Sequence, residues 1–341
     1  MKRLMMTQNI LAASALFLFL AAGTVAQAPA PSSQKPGSLL FYNVYTSDVG
    51  FVDQQNTRIN LTNTHTESVI VHWFFIDNKS CQIADTFTCL TGRQTFSFFA
   101  SDYDPGVTGY VVAVAVDANG LPRDFDFLIG SEYVKFRSGH EANLGAEPIE
   151  LFDVTNGYQV VAGSGGSQVD LIFNDTGYGR LPSGLALNNF PSPVDQNDTM
   201  VIVNRIGGDL GEQVSKIGTL NGLLYNQAER GFSFVLRADT CQLVQTLSDG
   251  FPRTSPPLSK VIPTGATGWL RFFTVDTVDN TPQGSATDPR AILGAMINYS
   301  NSGPFIPIVN GNKFNQGHNL HRLTIAPVTK LRMPVIVPAG C

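Results

Sequence analysis

The chain is poor in charged residues and in histidine, and both shortages exclude classes of function. Only 14% of its residues are charged, against about 25% in typical soluble proteins. Acids outnumber bases, 27 to 22, so the chain lacks the basic surface that nucleic acids or anionic membranes attract. Five histidines leave few candidates for a general base beside a nucleophile. No Gly-x-Ser-x-Gly or His-Glu-x-x-His motif occurs. We therefore expect no nucleic-acid partner and no catalytic residue, and the protein is predicted not to be an enzyme.

Long apolar runs are also scarce, and the one near the start is typical of a secretory signal peptide. Lys2 and Arg3 precede an uncharged apolar core at residues 10–22, and small residues follow it up to Ala26. An N-terminal membrane anchor is the alternative, but the run is shorter than the roughly 20 residues that a membrane-spanning helix needs. We predict a signal peptide at 1–26, a disordered leader at 27–37 and no transmembrane anchor after cleavage. The expected location is extracytoplasmic, either the periplasm, the cell surface or the medium.

What the sequence does contain is typical of short strands and tight turns. There are 32 glycines, 20 prolines and 23 phenylalanines, a composition that favours strands over helices. The segment 57–62 alternates polar and apolar residues, which predicts Ile59 and Leu61 on a buried face and Arg58 on an exposed one. The segment 69–76 is almost continuously apolar, which predicts burial on both faces or a central place in its sheet. We therefore expect an all-β protein.

An internal repeat organises the chain. Residues 106–117 and 265–276 share a turn, a Gly-aromatic pair, an apolar run and a closing Asp. Three further landmarks recur in the same order: Cys81 with Cys241, Gly130 with Gly294, and Gly139-His140 with Gly317-His318. Repeats of this kind indicate two related units. We predict two tandem, internally repeated, immunoglobulin-like or related antiparallel β-sandwich domains at 38–156 and 185–341, joined by a bridging segment at 157–184.

These landmarks also carry a resemblance. Gly109-Tyr110 with its apolar strand, the region of Cys81, and Gly139-His140 make the chain resemble uncharacterised exported bacterial proteins with a signal peptide and two β-sandwich units. The resemblance extends over most of the mature chain. It implies a fold and an exported location, and it brings no activity, ligand or catalytic residue.

Four cysteines in an exported chain favour disulfides over metal ligands. Three pairings are possible. The pairing that we predict is Cys81–Cys89, which closes a short loop, together with Cys241–Cys341, which ties down the end of the chain. The alternative is that Cys81 and Cys241 are buried free thiols.

The turns offer one candidate metal site. Asp117, Asn119, Asp124 and Asp126 follow the strand at 110–116, and loop oxygens of this kind suit calcium. Their spacing does not match the EF-hand pattern, and Asp and Asn are also ordinary turn formers. The alternatives are therefore a calcium site and a set of solvated turns. For the repeated His140 and His318 we expect a packing role, such as a ring nitrogen bonded to a backbone carbonyl.

Three hypotheses for function follow. The first is a non-catalytic secreted or cell-surface protein with a structural, adhesive or assembly role. The second is a carbohydrate- or small-ligand-binding module that contacts glycans or other surface proteins through exposed aromatics. Its candidate platform is Tyr103, Tyr110, Tyr178 and Trp269, although core packing explains Tyr110 and Trp269 better. The third is a secreted hydrolase whose site is assembled from distant loops, including residues 276–290. Apart from calcium, no cofactor is expected.

Overall fold

The computed structural model describes residues 35–274, 291–300, 314–326 and 328–339. The predicted signal peptide and most of the predicted leader lie outside these residues. The described residues belong to one compact unit. Within the described residues, no helix has the length and apolarity needed to cross a membrane.

The first half of the chain forms two antiparallel sheets. Sheet I has the strand order β4-β3-β6-β1-β9, and sheet II has the order β5-β2-β7-β8. The strands are β1 Leu39–Thr46, β2 Asn56–Asn63, β3 Val69–Asp77, β4 Ile83–Leu90, β5 Thr95–Phe99, β6 Thr108–Val116, β7 Leu128–Lys135, β8 Glu141–Gly145 and β9 Glu147–Ile149.

The second half forms sheet IV, with the order β16-β15-β18-β12-β21, and sheet V, with the order β17-β13-β19-β20. Their strands are β12 Pro182–Pro191, β13 Asn197–Ile206, β15 Gly218–Asn226, β16 Gly231–Ala238, β17 Gln242–Thr246, β18 Thr267–Thr274, β19 Ala291–Ser300, β20 Phe314–Asn319 and β21 His321–Ile325.

Sheet III draws its strands from three separated parts of the chain, in the order β10-β11-β22-β14. These strands are β10 Tyr158–Val160, β11 Gln168–Phe173, β14 Gly208–Asp209 and β22 Thr329–Pro334. In the described part of the chain, helix is confined to the short turns α1 Val154–Gly157 and α2 Leu258–Val261 and to 3-10 turns at Ala100–Asp102 and Pro193–Asp195. Strand β11 lies within the predicted bridging segment at 157–184.

The protein is all-β, with 57% strand and 5% helix, but the predicted arrangement as two tandem β-sandwich domains is wrong. The five small sheets are arranged as a five-bladed β-propeller. Successive sheets pack through four apolar clusters: III with I, I with II, II with V, and V with IV. Strand alternation shows which side chains face an apolar cluster, but it does not show how many sheets pack around that cluster. The sequence pattern was therefore interpreted as sandwiches of two sheets each. The continuous burial of β3 confirms the prediction for residues 69–76.

The two halves nevertheless repeat one topology. Each strand of sheets I and II has a counterpart, in the same place of the strand order, in sheets IV and V. Strands β1 and β12 even share an irregularity in register before the residue that pairs near Gly109 or Gly268. These glycines are required for close packing, because a Cβ on Gly109 would lie 1.7 Å from the Ile76 carbonyl oxygen and one on Gly268 would lie 2.6 Å from the Phe190 ring. Tyr110 and Trp269 therefore occupy equivalent strands.

Two of the residue pairs that define the repeat in the sequence do not occupy equivalent positions in the two halves of the structure. Cys81 lies in the turn between β3 and β4, whereas Cys241 precedes β17, whose counterpart is β5. Pairing registers align Cys241 with Gln94 instead, because Leu243 and Phe96 oppose equivalent residues of β13 and β2. His140 precedes β8 and His318 lies within β20, so this pair is also out of step. Local similarity of a few letters misled the alignment at both places.

The predicted disulfide pairing is also wrong in the structure. Cys81 and Cys241 are free and buried, which matches the alternative left open by the sequence. Cys89 is disulfide-bonded, and Cys341 lies outside the described residues. The division of the mature chain at 156 and 185 stays a prediction, although β22 joins the bridging strands in sheet III.

Candidate functional site

The outer face of sheet II is the side of β2, β5, β7 and β8 that points away from the apolar clusters. The opposite, inner face packs on sheet I through Ile59 and Leu61 and on sheet V through Val134 and Leu144. Because strand side chains alternate between faces, the intervening residues point outward. Their burial pattern is intermediate to exposed along all four strands.

One row across this outer face combines two aromatic rings and a cation. Arg58 on β2 is paired with Phe99 on β5 and with Tyr133 on β7. The Phe99 side chain is 49% exposed and that of Tyr133 is 39% exposed. Cross-strand partners have Cβ atoms about 5 Å apart, so the three side chains form a continuous strip. We call these three residues the aromatic row.

The neighbouring row is polar and flat. Ser97 donates a hydrogen bond of 2.8 Å to Asn60 Oδ1, and Asn60 Nδ2 donates one of 3.2 Å to Ser131 Oγ. These short side chains fix one another and do not rise above the aromatic row. The outer face therefore presents rings beside a level strip of hydroxyl and amide groups.

A cavity of about 310 Å³ opens at the β5 end of the aromatic row. It is lined by Arg58, Phe96, Ser97, Phe98, Phe99, Asp102 and Tyr103. Tyr103 is held in place by the Phe98 ring, whose centroid is 4.8 Å away at an angle of 75°. Asp102 Oδ2 accepts a 3.0 Å hydrogen bond from the Phe99 backbone N–H. Rings, a carboxylate and a guanidinium thus converge on one concave surface.

The polar groups of Tyr133 and Arg58 in the aromatic row differ in whether they have a partner. Tyr133 donates a 2.9 Å hydrogen bond to Glu141 Oε2, and partial burial together with this carboxylate raises the pKa of its phenol. None of the hydrogen bonds and ion pairs among the described residues involves the Arg58 guanidinium, although its charge partly offsets the rise in the pKa of Tyr133. Arg58 consequently offers its donors to a ligand, while the Tyr133 ring is held in a defined position.

Two other surfaces have less to offer a ligand. A cavity of about 420 Å³ lies beside α2, and its lining includes Pro193, Pro252, Arg253 and Pro257 but no aromatic ring. On the outer face of sheet IV, Tyr225 and Trp269 stack on each other with centroids 3.9 Å apart. The Arg271 guanidinium lies 4.6 Å from the Trp269 ring centre, so these rings are already occupied by one another and by a cation.

The aromatic residues predicted as a sugar platform are not brought together. Tyr110 is buried and donates a 3.0 Å hydrogen bond to the Arg205 carbonyl oxygen. Tyr178 is buried against Phe173. Trp269 is half-buried on sheet IV, and Tyr103 alone lies at the aromatic row. Phe99 and Tyr133 were missed, although the alternation at residues 57–62 already placed their neighbour Arg58 on an exposed face.

The residues of the predicted calcium site are engaged in local structure. Asp117 Oδ1 accepts hydrogen bonds from the backbone N–H groups of Asn119 and Leu121, at 2.8 and 2.9 Å. Asp126 Oδ1 accepts from Ser38 Oγ at 2.7 Å and from the Leu151 N–H at 3.0 Å. Burial raises the pKa of Asp126, and burial followed by the charge of Asp126 raises that of Asp124. In the described part of the chain, no group of three or more His, Cys, Asp or Glu side chains is placed to hold a metal ion. The calcium site stays a prediction.

Both histidines of the sequence comparison contact backbone carbonyls. His140 Nε2 lies 3.0 Å from the Asp198 oxygen, and His318 Nδ1 lies 2.8 Å from the Asn319 oxygen. Burial lowers the pKa of His140, partly offset by Asp198. These contacts match the packing role expected from the sequence, although the two positions are not equivalent.

Comparison with known proteins does not assign the chain. No protein-family model matches it, and no curated protein matches it. The geometry of the outer face is therefore the basis for a functional proposal.

Proposed function

We propose that this protein is a non-catalytic, extracytoplasmic adhesive protein that binds glycans on the outer face of sheet II. The observation that carries the proposal is the aromatic row, in which Phe99 and Tyr133 flank Arg58 on an uncovered sheet face. The residues predicted for export support the extracytoplasmic location, and surface glycans are partners that a protein in that location meets.

The chemistry of the outer face suits a sugar chain. One face of a pyranose ring carries C–H groups that pack on an aromatic ring, while its edge carries hydroxyls that need hydrogen-bond partners. Phe99 and Tyr133 provide exposed rings. Arg58 provides donors, and Asn60 and Ser97 provide groups of both kinds. Apolar contact surface with a few fixed polar groups is the usual composition of a small-ligand site.

The row arrangement favours an extended ligand over a compact one. The Arg58, Phe99 and Tyr133 positions span three adjacent strands, which lie about 4.8 Å apart. The strip is therefore about 10 Å long from ring to ring, a span that suits two or more linked sugars. The cavity of about 310 Å³ at the Phe99 end would accept one terminal sugar.

The structural and the hydrolytic hypotheses have weaker support. A purely structural role leaves the exposed rings and the uncommitted guanidinium without a use. The hydrolase hypothesis relied on residues 276–290, and these lie outside the described residues. The proposal therefore rests on binding alone.

A glycan array probed with the purified full chain tests the proposal. Phe99→Ala and Tyr133→Ala should each weaken binding to the same glycans about fivefold, because each removes a stacking ring worth about 1 kcal/mol. Arg58→Met should weaken binding through the loss of hydrogen-bond donors. Phe152→Ala is the matched control, because Phe152 is 54% exposed and lies outside the outer face.

The array result has two informative failures. If the unmodified chain binds no glycan, the glycan proposal is wrong. If glycans bind but all three outer-face variants bind as the unmodified chain does, the glycan site lies elsewhere and the aromatic row has another role.

A further inference from the structure

Two buried thiols meet where the first half of the chain contacts the second. Cys81 and Cys241 each have 0% exposed surface, and both belong to the apolar cluster between sheets I and III. Cys81 comes from the turn after β3, and Cys241 comes from the segment before β17. The thiols are therefore contributed by residues distant in sequence.

Backbone hydrogen bonds fix the two cysteines to the same short turn. The Cys81 N–H donates to the Asp77 carbonyl oxygen at 3.0 Å, and the Cys241 thiol donates to that same oxygen at 2.9 Å. The Cys241 N–H donates to the Asn78 carbonyl oxygen at 3.2 Å. Because both residues bond to one peptide segment, their separation is held by the backbone and not by side-chain packing alone.

The two cysteines share the Asp77 carbonyl oxygen as a hydrogen-bond acceptor, and their thiols interact electrostatically. The interaction of the Cys81 sulfur with Cys241 lowers the pKa of Cys81, and burial partly offsets that effect. The same interaction raises the pKa of Cys241, with burial adding to the effect. Cys81 is consequently the thiol that ionises first, and the thiolate is the form that attacks a disulfide.

We propose that Cys81 and Cys241 form a disulfide bond that covalently links the two halves of the protein. The oxidant is a second disulfide, either a small-molecule disulfide or the disulfide of a thiol oxidoreductase. The Cys81 thiolate attacks one sulfur of the oxidant and releases the other as a thiol, which gives a mixed disulfide. The Cys241 thiol then loses its proton and displaces the second oxidant sulfur. Overall, two cysteine thiols and one oxidant disulfide become one protein disulfide and two oxidant thiols.

The backbone at this position favours closure of the bond. A disulfide needs its sulfurs about 2.05 Å apart, and the Cys81 N–H and the Cys241 thiol already meet at one carbonyl oxygen, that of Asp77. Cys81 has a φ of +59°, but the equivalent residue of the second half, Glu229, has a φ of +57°. The left-handed conformation therefore belongs to the repeated turn and is not a strain created by the thiol contact.

Thiol counting on the full chain tests the proposal. The chain purified without oxidant is unfolded in urea and labelled with a maleimide, before and after treatment with oxidised glutathione. A second sample is unfolded and refolded in a glutathione redox buffer, so that burial of the thiols cannot protect them from the oxidant. Labelling at Cys81 and Cys241 should disappear in the oxidised samples, and peptide mapping should recover one cross-linked pair containing both residues.

Variants separate this pair from the other cysteines. Cys81→Ala should leave Cys241 fully labelled after oxidation, and Cys241→Ala should leave Cys81 labelled. Cys89→Ala is the control and should still form the Cys81–Cys241 link. The oxidised chain should also melt several degrees above the Cys81→Ala/Cys241→Ala double variant, because a cross-link spanning residues 81 to 241 constrains a long loop of the unfolded chain.

The proposal is overturned if Cys81 and Cys241 both keep full label after refolding in the redox buffer. It is equally overturned if peptide mapping pairs either of them with Cys89 or Cys341. Neither result bears on glycan binding, which is measured separately on the outer face of sheet II.

Discussion

Sheets II and V share one strand order but differ in what their equivalent faces meet. Register places Arg58 and Asn60 of sheet II at the positions of Met200 and Ile202 in sheet V. The first two lie on the uncovered outer face, whereas Met200 and Ile202 pack against the inner face of sheet II. The two sheets thus have the same topology, but the equivalent positions are polar in sheet II and apolar in sheet V, where they contact the other half of the protein.

The same contrast holds along neighbouring strands. Ser131 and Tyr133 of β7 correspond to Ala295 and Ile297 of β19, and both of the latter are buried in the cluster between sheets II and V. The contact between the halves is therefore asymmetric: the outward-facing side of sheet V packs on the inner face of sheet II, and the outer face of sheet II takes no part in it. The equivalent face of sheet V is buried in the contact between the halves, whereas the outer face of sheet II is intermediate to exposed.

The largest expected effect comes from placing the first-half residue in the second half. Met200→Arg would bury a guanidinium in the apolar cluster between sheets II and V, where Met200 is 5% exposed. An unpaired buried charge destabilises strongly, so we expect a loss of about 4 kcal/mol or more in the free energy of unfolding, or no folded protein. Urea denaturation followed by circular dichroism measures it. A cooperative transition at the unmodified midpoint would show that this face is open.

A smaller loss is expected where the halves share buried polar groups. Asn204 Nδ2 donates to the Asn43 carbonyl oxygen at 2.9 Å, and Asn204 Oδ1 accepts from Gln242 Nε2 at 2.9 Å. Asn204→Ala leaves buried groups without these partners, which should cost about 1–3 kcal/mol. The register-equivalent control Thr62→Ala, at a half-buried position of β2, should cost less than about 0.5 kcal/mol. Equal losses in denaturant unfolding would contradict a buried junction.

The third prediction concerns the pH dependence of stability at Glu132, whose register equivalent is Met296. Burial raises the pKa of Glu132 well above its ordinary value, partly offset by hydrogen bonds from the Val44 and Asn43 N–H groups. The folded state therefore keeps the proton that the unfolded state loses above about pH 4.3. Stability is fully present below that pH and falls as the pH rises, by up to about 1.4 kcal/mol per pH unit.

Glu132→Gln should remove this pH-dependent part of the stability, because glutamine carries no ionisable proton. Denaturant unfolding at pH 5 and pH 8 measures the difference between the variant and the unmodified chain. Glu141→Gln, at a partly exposed position, is the control. Parallel pH profiles for the Glu132 variant and the unmodified chain would rule out a buried, protonated carboxyl.

The smallest effect should come from the reverse exchange, Arg58→Met. Arg58 is exposed, and surface substitutions usually change stability by less than about 0.5 kcal/mol. The melting temperature of this variant should therefore equal that of the unmodified chain, while its glycan binding should be weaker. A stability loss comparable with that of Met200→Arg would mean that the outer face of sheet II is covered in solution.

The strands and the existence of a repeat were accessible from the sequence, because alternation and the Gly-aromatic pairs at 109–110 and 268–269 are visible in short segments. The contact between the halves could not be predicted from the sequence. One pattern does point to it: residues 200–203 are continuously apolar, whereas the equivalent strand at residues 57–62 alternates polar and apolar residues. That difference indicates burial on both faces of β13. Composition and periodicity do not show which sheet packs against the second face of β13.

The site was recovered only in part. The alternation at residues 57–62 placed Arg58 outward, but its ring partners depend on the pairing of β2 with β5 and β7, which no local pattern specifies. The cysteine alignment failed for a related reason. Cys81 and Cys241 are neighbours in space and not counterparts in the repeat, so letters that looked like a shared landmark belong to two different turns.

Sheet III carries a consequence for biosynthesis. Its β22 pairs along its whole length with β11, and Leu331 and Met333 complete the cluster that covers sheet I. The ribosome makes β22 after every other described strand, so the apolar side of sheet I stays open until translation has passed residue 334. The side of sheet I that faces sheet III can therefore be completed only after β22 has been made.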